Sequence, residues 1–191
     1  LAADRHRTLA PRVGFETGDA FHLRFPAGHF DLVVCRHMIQ AIPRVGDALA
    51  EMLRVLKPGG WLHLLAEDYG MLRFPGADPD PDRFWRDVVV EFGINSGVDA
   101  RIGRHVYPLL KHAPLAELRV DYVTVDTERV PREAFARILE AWRDGYVDTL
   151  SEHTGRDPLE IESNFETIVR LLRDPESYSV WQIPIWSARK T

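Results

Sequence analysis

The sequence predicts an α/β fold, and three segments carry that prediction. Phe30–Cys35 and Trp61–Ala66 are nearly continuous apolar runs of strand length, which is typical of strands covered on both faces. Asp47–Leu56 lies between them and has apolar residues at helical spacing. A strand, a helix and a strand in this order form a βαβ unit, whose strands must be parallel with a right-handed crossover.

The remaining elements follow from periodicity and from turn residues. In chain order they are the end of a helix at Leu1–Pro11, a strand at Val13–Thr17, helices at Phe84–Phe92 and Gly103–His112, a strand at Leu118–Asp126, helices at Pro131–Leu150 and Leu159–Leu172, and a strand at Tyr178–Ser187. Pro184 lies inside the last strand. Because proline cannot donate a ladder hydrogen bond, we expect an edge, a bulge or a break there.

The totals indicate a single domain spanning residues 1–191. The chain is 45% hydrophobic and 28% charged, and its length suits one core. No apolar run approaches the roughly 18 residues of a membrane span. A net charge of −5 argues against a nucleic-acid partner, which leaves a basic footprint. Cys35 is the single cysteine, so no internal disulfide forms, and a reducing, cytoplasmic location is expected.

Polar residues follow three of the predicted strands at the point where each strand ends. They are Gly18–Asp19, Cys35–His37 and Glu67–Tyr69. Because open parallel sheets bind ligands at the carboxyl ends of their strands, we expect these groups to line one rim and to form the functional site.

Five stretches stand out in chain order: "GDAFHLRFP", "FDLVVCRHMIQAI", "LRVLKPGGWLHLLAED", "GVDARIGRHVYPLL" followed by "ELRVDYVTV", and "YSVWQIPIWSARKT". Together and in this order they resemble the class I S-adenosylmethionine-dependent methyltransferases, most closely the small-molecule branch of that family. The resemblance implies a Rossmann-like three-layer sandwich with a mostly parallel sheet and an antiparallel C-terminal strand. It also implies S-adenosyl-L-methionine as the cofactor.

The first strand of that family, its G-x-G-x-G cofactor loop and the acidic residue that ends its second strand are not found in this sequence. Leu1–Pro11 resembles the helix after the second strand. We therefore expect the first strands, about 30 residues or more of a βαβ unit, to lie upstream of Leu1, and the domain to be N-terminally incomplete here.

By the same resemblance, six residues contact the cofactor: Asp19, Ala20, Phe21, Cys35, Arg36 and His37. The Asp19 carboxylate would accept a hydrogen bond from the adenine amino group, the Ala20 N–H would meet a ring nitrogen, and Phe21 would pack near the base. Cys35–His37 would border the methionine part. The alternatives are that Asp19 caps a turn, that Cys35 is a small buried apolar residue, and that Arg36 makes a surface contact.

The implied reaction is methyl transfer to oxygen or nitrogen of a small organic molecule. Such an in-line displacement depends on alignment and on exclusion of water, and a general base can assist a hydroxyl acceptor. His37 is the first choice for that base because it ends the strand nearest the expected transfer point. The other candidates are Glu67, Asp68, His105 and Tyr69. The alternative is that His37 is a solvated loop residue and that the acceptor needs no base.

Acceptor contacts are expected from residues 69–104 and 130–172, the segments that follow two of the family's strands. The candidate substrate-binding residues are Glu67, Asp68, Tyr69, Trp85, His105, Trp142 and Tyr146. Trp142 and Tyr146 are four apart on an amphipathic helix, so burial in the core is the favoured alternative for both. The eight histidines show no H-x-x-x-H spacing, and no metal is expected.

Two other functions stay open at this point. A G-x-G-x-x-G loop upstream would favour a nucleotide-sugar or nicotinamide enzyme of related topology. A chain without the first strands would favour a non-catalytic binding or regulatory protein. Arginine outnumbers lysine by 21 to 3, which is typical of a high-GC bacterial source, and secondary metabolism is the expected setting. The expected partner is a small-molecule acceptor, and these features are compatible with a homodimer.

Overall fold

A computed structural model describes residues 2–9 and 11–191 and places five strands in one mixed sheet. The strands are β1 (Phe30–Arg36), β2 (Leu56–Leu65), β3 (Leu72–Arg73), β4 (Leu115–Asp126) and β5 (Val180–Lys190). β1 and β2 are parallel, whereas β5 runs antiparallel to β2 on one side and to β4 on the other. The short β3 pairs with the start of β5. The antiparallel C-terminal strand is thereby confirmed.

Helices connect these strands and cover the sheet. They are α1 (Ala2–Arg5), α2 (Val45–Val55), α3 (Pro81–Phe84), α4 (Val90–Ser96), α5 (Ile102–His112), α6 (Arg132–Thr154) and α7 (Pro158–Arg173), with single 3-10 turns at Arg7–Leu9, Ile39–Ala41 and Tyr69–Met71. A π-helical segment, Trp85–Val89, joins α3 to α4. Among the described helices, none has the length and apolar character that crossing a bilayer requires.

The predicted βαβ unit is confirmed. α2 follows β1 and leads directly into β2, and its buried face carries Ala48, Leu49 and Met52. β2 begins five residues earlier than the predicted strand, because Leu56 already pairs with Phe30 before the register shifts. The middle of the chain therefore forms the parallel pair on which the expected functional rim depends.

β1 is covered on one face only, so the prediction of a strand buried on both faces is wrong. Leu32 and Val34 are 54% and 49% exposed, whereas Cys35 is buried. Val33 and Cys35 pack with the apolar residues of α2 and α5, while the opposite face of β1 is open. A continuous apolar run does not by itself reveal how many faces of a strand find a partner.

Residues 13–17 form no strand, contrary to prediction. Val13 and Phe15 are 40% and 44% exposed, and in the described structure this segment belongs to no ladder. A strand needs a neighbour for its backbone groups, and alternation in the sequence does not supply one. Of the first predicted helix, α1 and the turn at Arg7–Leu9 are present, while Leu1 and Ala10 lie outside the described residues.

Pro184 lies in a central strand, so the prediction of an edge is wrong. β5 is flanked by β2 and β4. The pairing of β2 ends with Leu65 opposite Ile185, and the Ala66 N–H donates to the Pro184 carbonyl at 3.1 Å. The proline therefore stands where the ladder to β2 stops, a place that tolerates a missing N–H.

Two apolar clusters lie on opposite faces of the sheet. On β2, Leu62 and Leu64 belong to the cluster with α2 and α5, whereas Leu65 belongs to the other. That second cluster joins the sheet to α3, the π-helical segment, α4, α6 and α7, which we call the helical cap. The cap comprises most of the predicted substrate-side segments, and the predicted three-layer arrangement is confirmed.

A glycine allows α5 to meet the end of β2 backbone against backbone. The Gly103 N–H donates to the Glu67 carbonyl at 3.0 Å. A Cβ atom at Gly103 would lie 2.6 Å from the Ala66 carbonyl oxygen and 2.6 Å from Cγ of Pro184. No side chain fits this contact without a backbone shift, so residue 103 fixes the distance between α5 and the rim.

We expect Gly103→Ala to lower the free energy of unfolding by about 1–3 kcal/mol, the usual cost of overpacking a tight contact. Urea denaturation followed by circular dichroism measures the change. The matched control is Gly145→Ala, because open space surrounds Gly145 within α6, where alanine is favoured by about 0.5–1 kcal/mol. Equal effects of the two substitutions would contradict the packing argument.

Candidate active site

Three polar side chains form one connected group at the rim. Glu67 follows β2, and its carboxylate side chain is 5% exposed. Its Oε1 lies 2.6 Å from Nδ1 of His37, and its Oε2 accepts a hydrogen bond from the Tyr69 hydroxyl at 3.1 Å. The end of β1 is thus joined to the segment after β2 through a nearly buried carboxylate.

His37 is held in a conformation that turns its ring towards Glu67. Its φ of 51° lies in the left-handed region, which costs a non-glycine residue about 1–3 kcal/mol. Nδ1 is taken by Glu67, and the imidazole side chain is 47% exposed. The neutral ring with hydrogen on Nδ1 therefore leaves Nε2 as the proton-accepting atom.

A second carboxylate fixes the backbone next to Glu67. The Asp68 side chain is fully buried and forms a two-point ion pair with Arg104, with Nε–Oδ2 and Nη2–Oδ1 distances of 2.5 and 2.9 Å. Its Oδ1 also accepts from the Gly70 N–H at 2.9 Å. Asp68 was predicted to contact substrate or to act as a base, but its oxygens are already engaged in structural bonds, so the structure assigns it a structural role.

An apolar cavity of about 430 Å³ opens between this rim and the helical cap. Its walls are Gln40, Ala41, Tyr69, Trp85, Val89, Phe92, Ser96, Val98, Ala100, Trp142, Tyr146, Thr149, Leu150, His153 and Phe165. Four predicted substrate-binding residues, Tyr69, Trp85, Trp142 and Tyr146, therefore line one cavity. Their contact with a substrate stays a prediction. Because Tyr146 is 49% exposed, the alternative that it is buried in the core is wrong.

Aromatic rings enclose the Tyr69 side chain. Its ring stacks on Trp181 at 5.9 Å between centroids and meets the edge of Trp142 at 5.5 Å. Burial, and next the negative charge of Glu67, raise the pKa of Tyr69 well above its usual value. Tyr69 is therefore a neutral hydrogen-bond donor to Glu67 and not a base, which corrects its place among the candidates for that role.

His105 is separate from this group. Its Nδ1 lies 2.7 Å from Oδ2 of Asp99, its side chain is 46% exposed, and it is not among the cavity walls. The prediction that His105 contacts substrate or serves as a base is not supported by this placement, because its ring pairs with Asp99 and lies outside the cavity.

The predicted cofactor residues lie around the ends of β1 and the preceding loop. Asp19 is exposed, and its Oδ1 accepts a hydrogen bond from the Phe21 N–H at 2.9 Å. One of its two carboxylate oxygens therefore caps a turn, as the alternative interpretation predicts. The Phe21 ring has the Arg44 guanidinium 4.5 Å from its centroid. Ala20 is half-buried beside them. Cofactor contact by these residues stays a prediction.

Cys35 and Arg36 differ in exposure although they are neighbours. Arg36 is exposed, as the surface alternative predicts. Cys35 is buried, and burial raises the pKa of its thiol to about 11. The thiol is therefore protonated at neutral pH and packs as an apolar residue. Among the described residues, no group of three His, Cys, Asp or Glu side chains is arranged to hold a metal ion.

Several cavity residues were missed by sequence reasoning. Thr149, Leu150 and His153 continue the face of α6 that begins with Trp142 and Tyr146, so extending that stripe at helical spacing would have found them. Gln40 follows His37 by three residues and carries no signal of its own. Phe92 and Phe165 are apolar residues on helices, and only the fold shows that they face a cavity.

Solved structures share this Rossmann-like α/β fold. A putative type II methyltransferase from Anaeromyxobacter dehalogenans matches with a TM-score of 0.55, 22% identity, and coverage of 94% of this chain and 72% of that one. The YcgJ protein from Bacillus subtilis matches with a TM-score of 0.54, 16% identity, and coverage of 100% and 76%. The [4+2]-cyclase SpnF shares the fold at a TM-score of 0.51 and 24% identity, covering 99% and 60%.

Sequence comparisons agree with this fold. Residues 1–64 match the family described as a methyltransferase domain. The ubiquinone/menaquinone biosynthesis C-methyltransferase UbiE of Methylobacterium nodulans is 31% identical over 117 residues, 60% of this chain and 46% of the relative. The protein of the same name from Azotobacter vinelandii is 46% identical over 59 residues, 31% and 23% of the two chains. The chain spans less than half the length of these relatives.

The resemblance drawn from the sequence motifs is therefore confirmed. What matches is the methyltransferase domain over residues 1–64, and S-adenosylmethionine is the cofactor of that class of domain.

We expect the Cys35 thiol to resist labelling by a thiol reagent at about pH 8 and to react at once when urea unfolds the chain. The raised pKa also links the thiol to stability: protonation stabilises the folded state below pH 9, and this contribution is lost as the pH rises towards about 11. The absorbance of the group that the reagent releases measures the rate of labelling in the folded and in the unfolded protein. Rapid labelling of the folded protein would show that Cys35 is an accessible thiolate.

Proposed function

We propose that this chain supplies the general base and the acceptor cavity of a methyltransferase that acts on a small organic molecule. The observation that supports this most is the pairing of His37 with Glu67 at 2.6 Å, because Glu67 also accepts from Tyr69, a wall of the apolar cavity of about 430 Å³. A positioned imidazole that is linked in this way to a ring-lined cavity suits removal of a proton from an acceptor.

The residues present fit one side of the cofactor. Asp19 offers a carboxylate that is 60% exposed, and the half-buried Phe21 ring stands beside it. These two residues and the Ala20 backbone would hold the adenine end, while Cys35–His37 would border the amino-acid end. Bound there, S-adenosylmethionine supplies a methyl group activated by its sulfonium charge.

His37 acts as the base in this proposal. Glu67 holds Nδ1 and thereby fixes the tautomer in which Nε2 accepts the proton of the acceptor hydroxyl. The same carboxylate then stabilises the imidazolium that forms. Tyr69 donates to the other oxygen of Glu67, so it positions the carboxylate and does not take part in proton transfer.

The relatives bear on the acceptor atom. From the sequence alone, oxygen or nitrogen is the expected acceptor atom, whereas the curated relatives are named C-methyltransferases of quinone biosynthesis. We therefore propose a carbon of a phenol or enol as the first candidate, because loss of the hydroxyl proton to His37 makes the neighbouring carbon nucleophilic. Oxygen of the same hydroxyl is the second candidate. Those names refer to quinone biosynthesis and lend no support to the expectation of secondary metabolism.

In the full-length protein, we expect His37→Asn to lower kcat by about 10²–10⁴-fold, the usual contribution of a general base, and Glu67→Gln to lower it less. Calorimetry with S-adenosylhomocysteine should give a similar affinity for Glu67→Gln and the wild type. Mass spectrometry of neutral phenols and enols incubated with S-adenosylmethionine detects the gain of one methyl group, and NMR of the product separates carbon from oxygen methylation.

The matched control is His112→Asn, because the His112 Nδ1 lies 2.7 Å from the Pro108 carbonyl oxygen on the exposed part of α5. It should leave kcat unchanged, whereas His37→Asn should lower kcat. Failure of the wild type to bind S-adenosylhomocysteine would overturn the cofactor assignment. A His37→Asn enzyme with wild-type kcat, or a wild type that methylates none of the phenols or enols, would overturn the assignment of the base.

A further inference from the structure

We propose that Glu51 and Arg54 of α2 are positioning residues for the cofactor, because together they hold the loop that carries the proposed adenine-binding residues. We call residues 19–29, which lead into β1, the β1 loop. This inference rests on the proposed function in one respect, namely that residues 19–21 bind the adenine end of S-adenosylmethionine. The way in which the loop is held is argued from its contacts with α2.

The β1 loop has little internal structure to fix its shape. In residues 19–29, all of which the structure describes, there is no helix, and the one β-type contact is the single bridge between Asp19 and His22. No residue of this described segment is fully buried. Segments with few buried contacts open easily. The place of residues 19–21 therefore depends on what the loop is bonded to.

Arg54 donates hydrogen bonds to two backbone carbonyls of the β1 loop. Its Nη1 donates to the Phe25 carbonyl oxygen at 2.9 Å, and its Nη2 donates to the Leu23 carbonyl oxygen at 2.7 Å. A guanidinium carries its donors in one rigid plane. A single side chain thus fixes both carbonyl groups relative to α2.

Glu51 completes this arrangement from one helical turn earlier. Its Oε2 accepts from the Leu23 N–H at 2.8 Å, and its two oxygens accept from Nε and Nη2 of Arg54 at 2.7 and 2.9 Å. The hydrogen bond from Arg54, and next that from Leu23, lower the pKa of Glu51 to about 2, so the carboxylate is ionised at neutral pH. Leu23 is held at both its N–H and its carbonyl. We call Glu51 and Arg54 the α2 clamp.

The alternative is that the α2 clamp is an ordinary helical ion pair. Pairs three residues apart on a helix surface are common and contribute little by themselves. This pair differs because it makes three hydrogen bonds to backbone groups that lie 28–31 residues away in the chain. Its contacts therefore fasten a separate segment and do not merely support the helix.

Two further contacts place α2 along the β1 loop. At the end next to β1, the Gly28 N–H donates to the Arg54 carbonyl oxygen at 2.9 Å. At the other end, the guanidinium of Arg44, which immediately precedes α2, lies 4.5 Å from the centroid of the Phe21 ring. The α2 clamp lies between these points. Its loss should therefore shift the carboxylate and the N–H that are proposed to meet the adenine.

Two ligands that differ at the base alone measure this positioning by calorimetry on the full-length protein: S-adenosylhomocysteine and S-inosylhomocysteine, in which an oxo group replaces the adenine amino group. We expect the wild type to prefer S-adenosylhomocysteine by about 10- to 100-fold, the usual effect of a hydrogen bond to a charged group. Glu51→Gln should weaken S-adenosylhomocysteine binding by about 3- to 30-fold, the effect of one or two net hydrogen bonds, and should weaken S-inosylhomocysteine binding much less. Arg54→Lys should act in the same way, because an ammonium group lacks the planar fork.

The matched control is Glu133→Gln. Glu133 also pairs with two arginines, Arg173 at 2.8 Å and Arg137 at 3.1 Å, and these hydrogen bonds lower its pKa to about 2. Its partners lie on α7 and α6 and not in the β1 loop. The control should keep both affinities. A merely structural role of Glu51 would weaken the two ligands equally and leave their ratio unchanged, which would contradict the proposal.

Hydrogen exchange of the ligand-free protein, followed by mass spectrometry, tests the α2 clamp without the cofactor. Peptides that cover residues 19–29 should exchange faster in Glu51→Gln and Arg54→Lys than in the wild type or in Glu133→Gln. Peptides from β2 should exchange equally in all four proteins. Unchanged exchange of the β1 loop in both clamp variants would overturn the proposal. Urea denaturation checks that each variant is folded.

The outcomes distinguish this inference from the proposed function. A wild type that prefers S-adenosylhomocysteine, with clamp variants that lose this preference, would uphold the positioning role even if no methyl group is transferred, which would overturn the proposed base. Methyl transfer by both clamp variants with the wild-type KM for S-adenosylmethionine would do the reverse. Failure of the wild type to bind S-adenosylhomocysteine would overturn both.

Discussion

The ion pair between the buried Asp68 carboxylate and the partly exposed Arg104 is the contact on which the geometry of the rim depends. Asp68 lies between Glu67 and Tyr69 in the chain, and both of its carboxylate oxygens accept hydrogen bonds from Arg104. Removing Arg104 would leave the fully buried Asp68 carboxylate without its charged partner, which is destabilising. The pair therefore anchors the segment from which Glu67 reaches His37 and from which Tyr69 reaches the cavity.

Gly103 completes this anchor from the side of α5. The residue before Arg104 must lack a side chain, because the carbonyl of Ala66 and the ring of Pro184 already occupy the space. The Gly103 carbonyl also accepts from Nε1 of Trp186 at 2.9 Å. One short segment thus ties together α5, the end of β2 and the middle of β5, and the connected group of His37, Glu67 and Tyr69 is built on that junction.

Much of the fold could be predicted because its signals are local. The periodicity of α2, α6 and α7 and the apolar run of β2 are properties of neighbouring residues. The errors concern features that depend on distant parts of the molecule. Residues 13–17 alternate like a strand but pair with no neighbour in the described structure, and Leu32 in β1 is as apolar as a buried residue yet lies on an open face.

The candidate site shows the same division. His37 could be selected from its place after β1, because strand ends form the binding edge of such sheets. Its pairing with Glu67, thirty residues away, depends on the left-handed conformation of His37 and on the register of β1 with β2. Neither feature can be predicted from a local sequence pattern. Gln40 could not be identified from the sequence, because its place in the cavity wall depends on how the helical cap packs.

The cavity is assembled from two kinds of chain segment, and this has an evolutionary consequence. The proposed proton-transfer group comes from the strand ends, whereas most of the wall comes from the helical cap, chiefly α6 and the π-helical segment. Substitutions in the cap can alter the shape of the compound that is accepted without disturbing the apparatus that acts on it. A lineage carrying this architecture is free to diversify its substrates while its reaction stays the same.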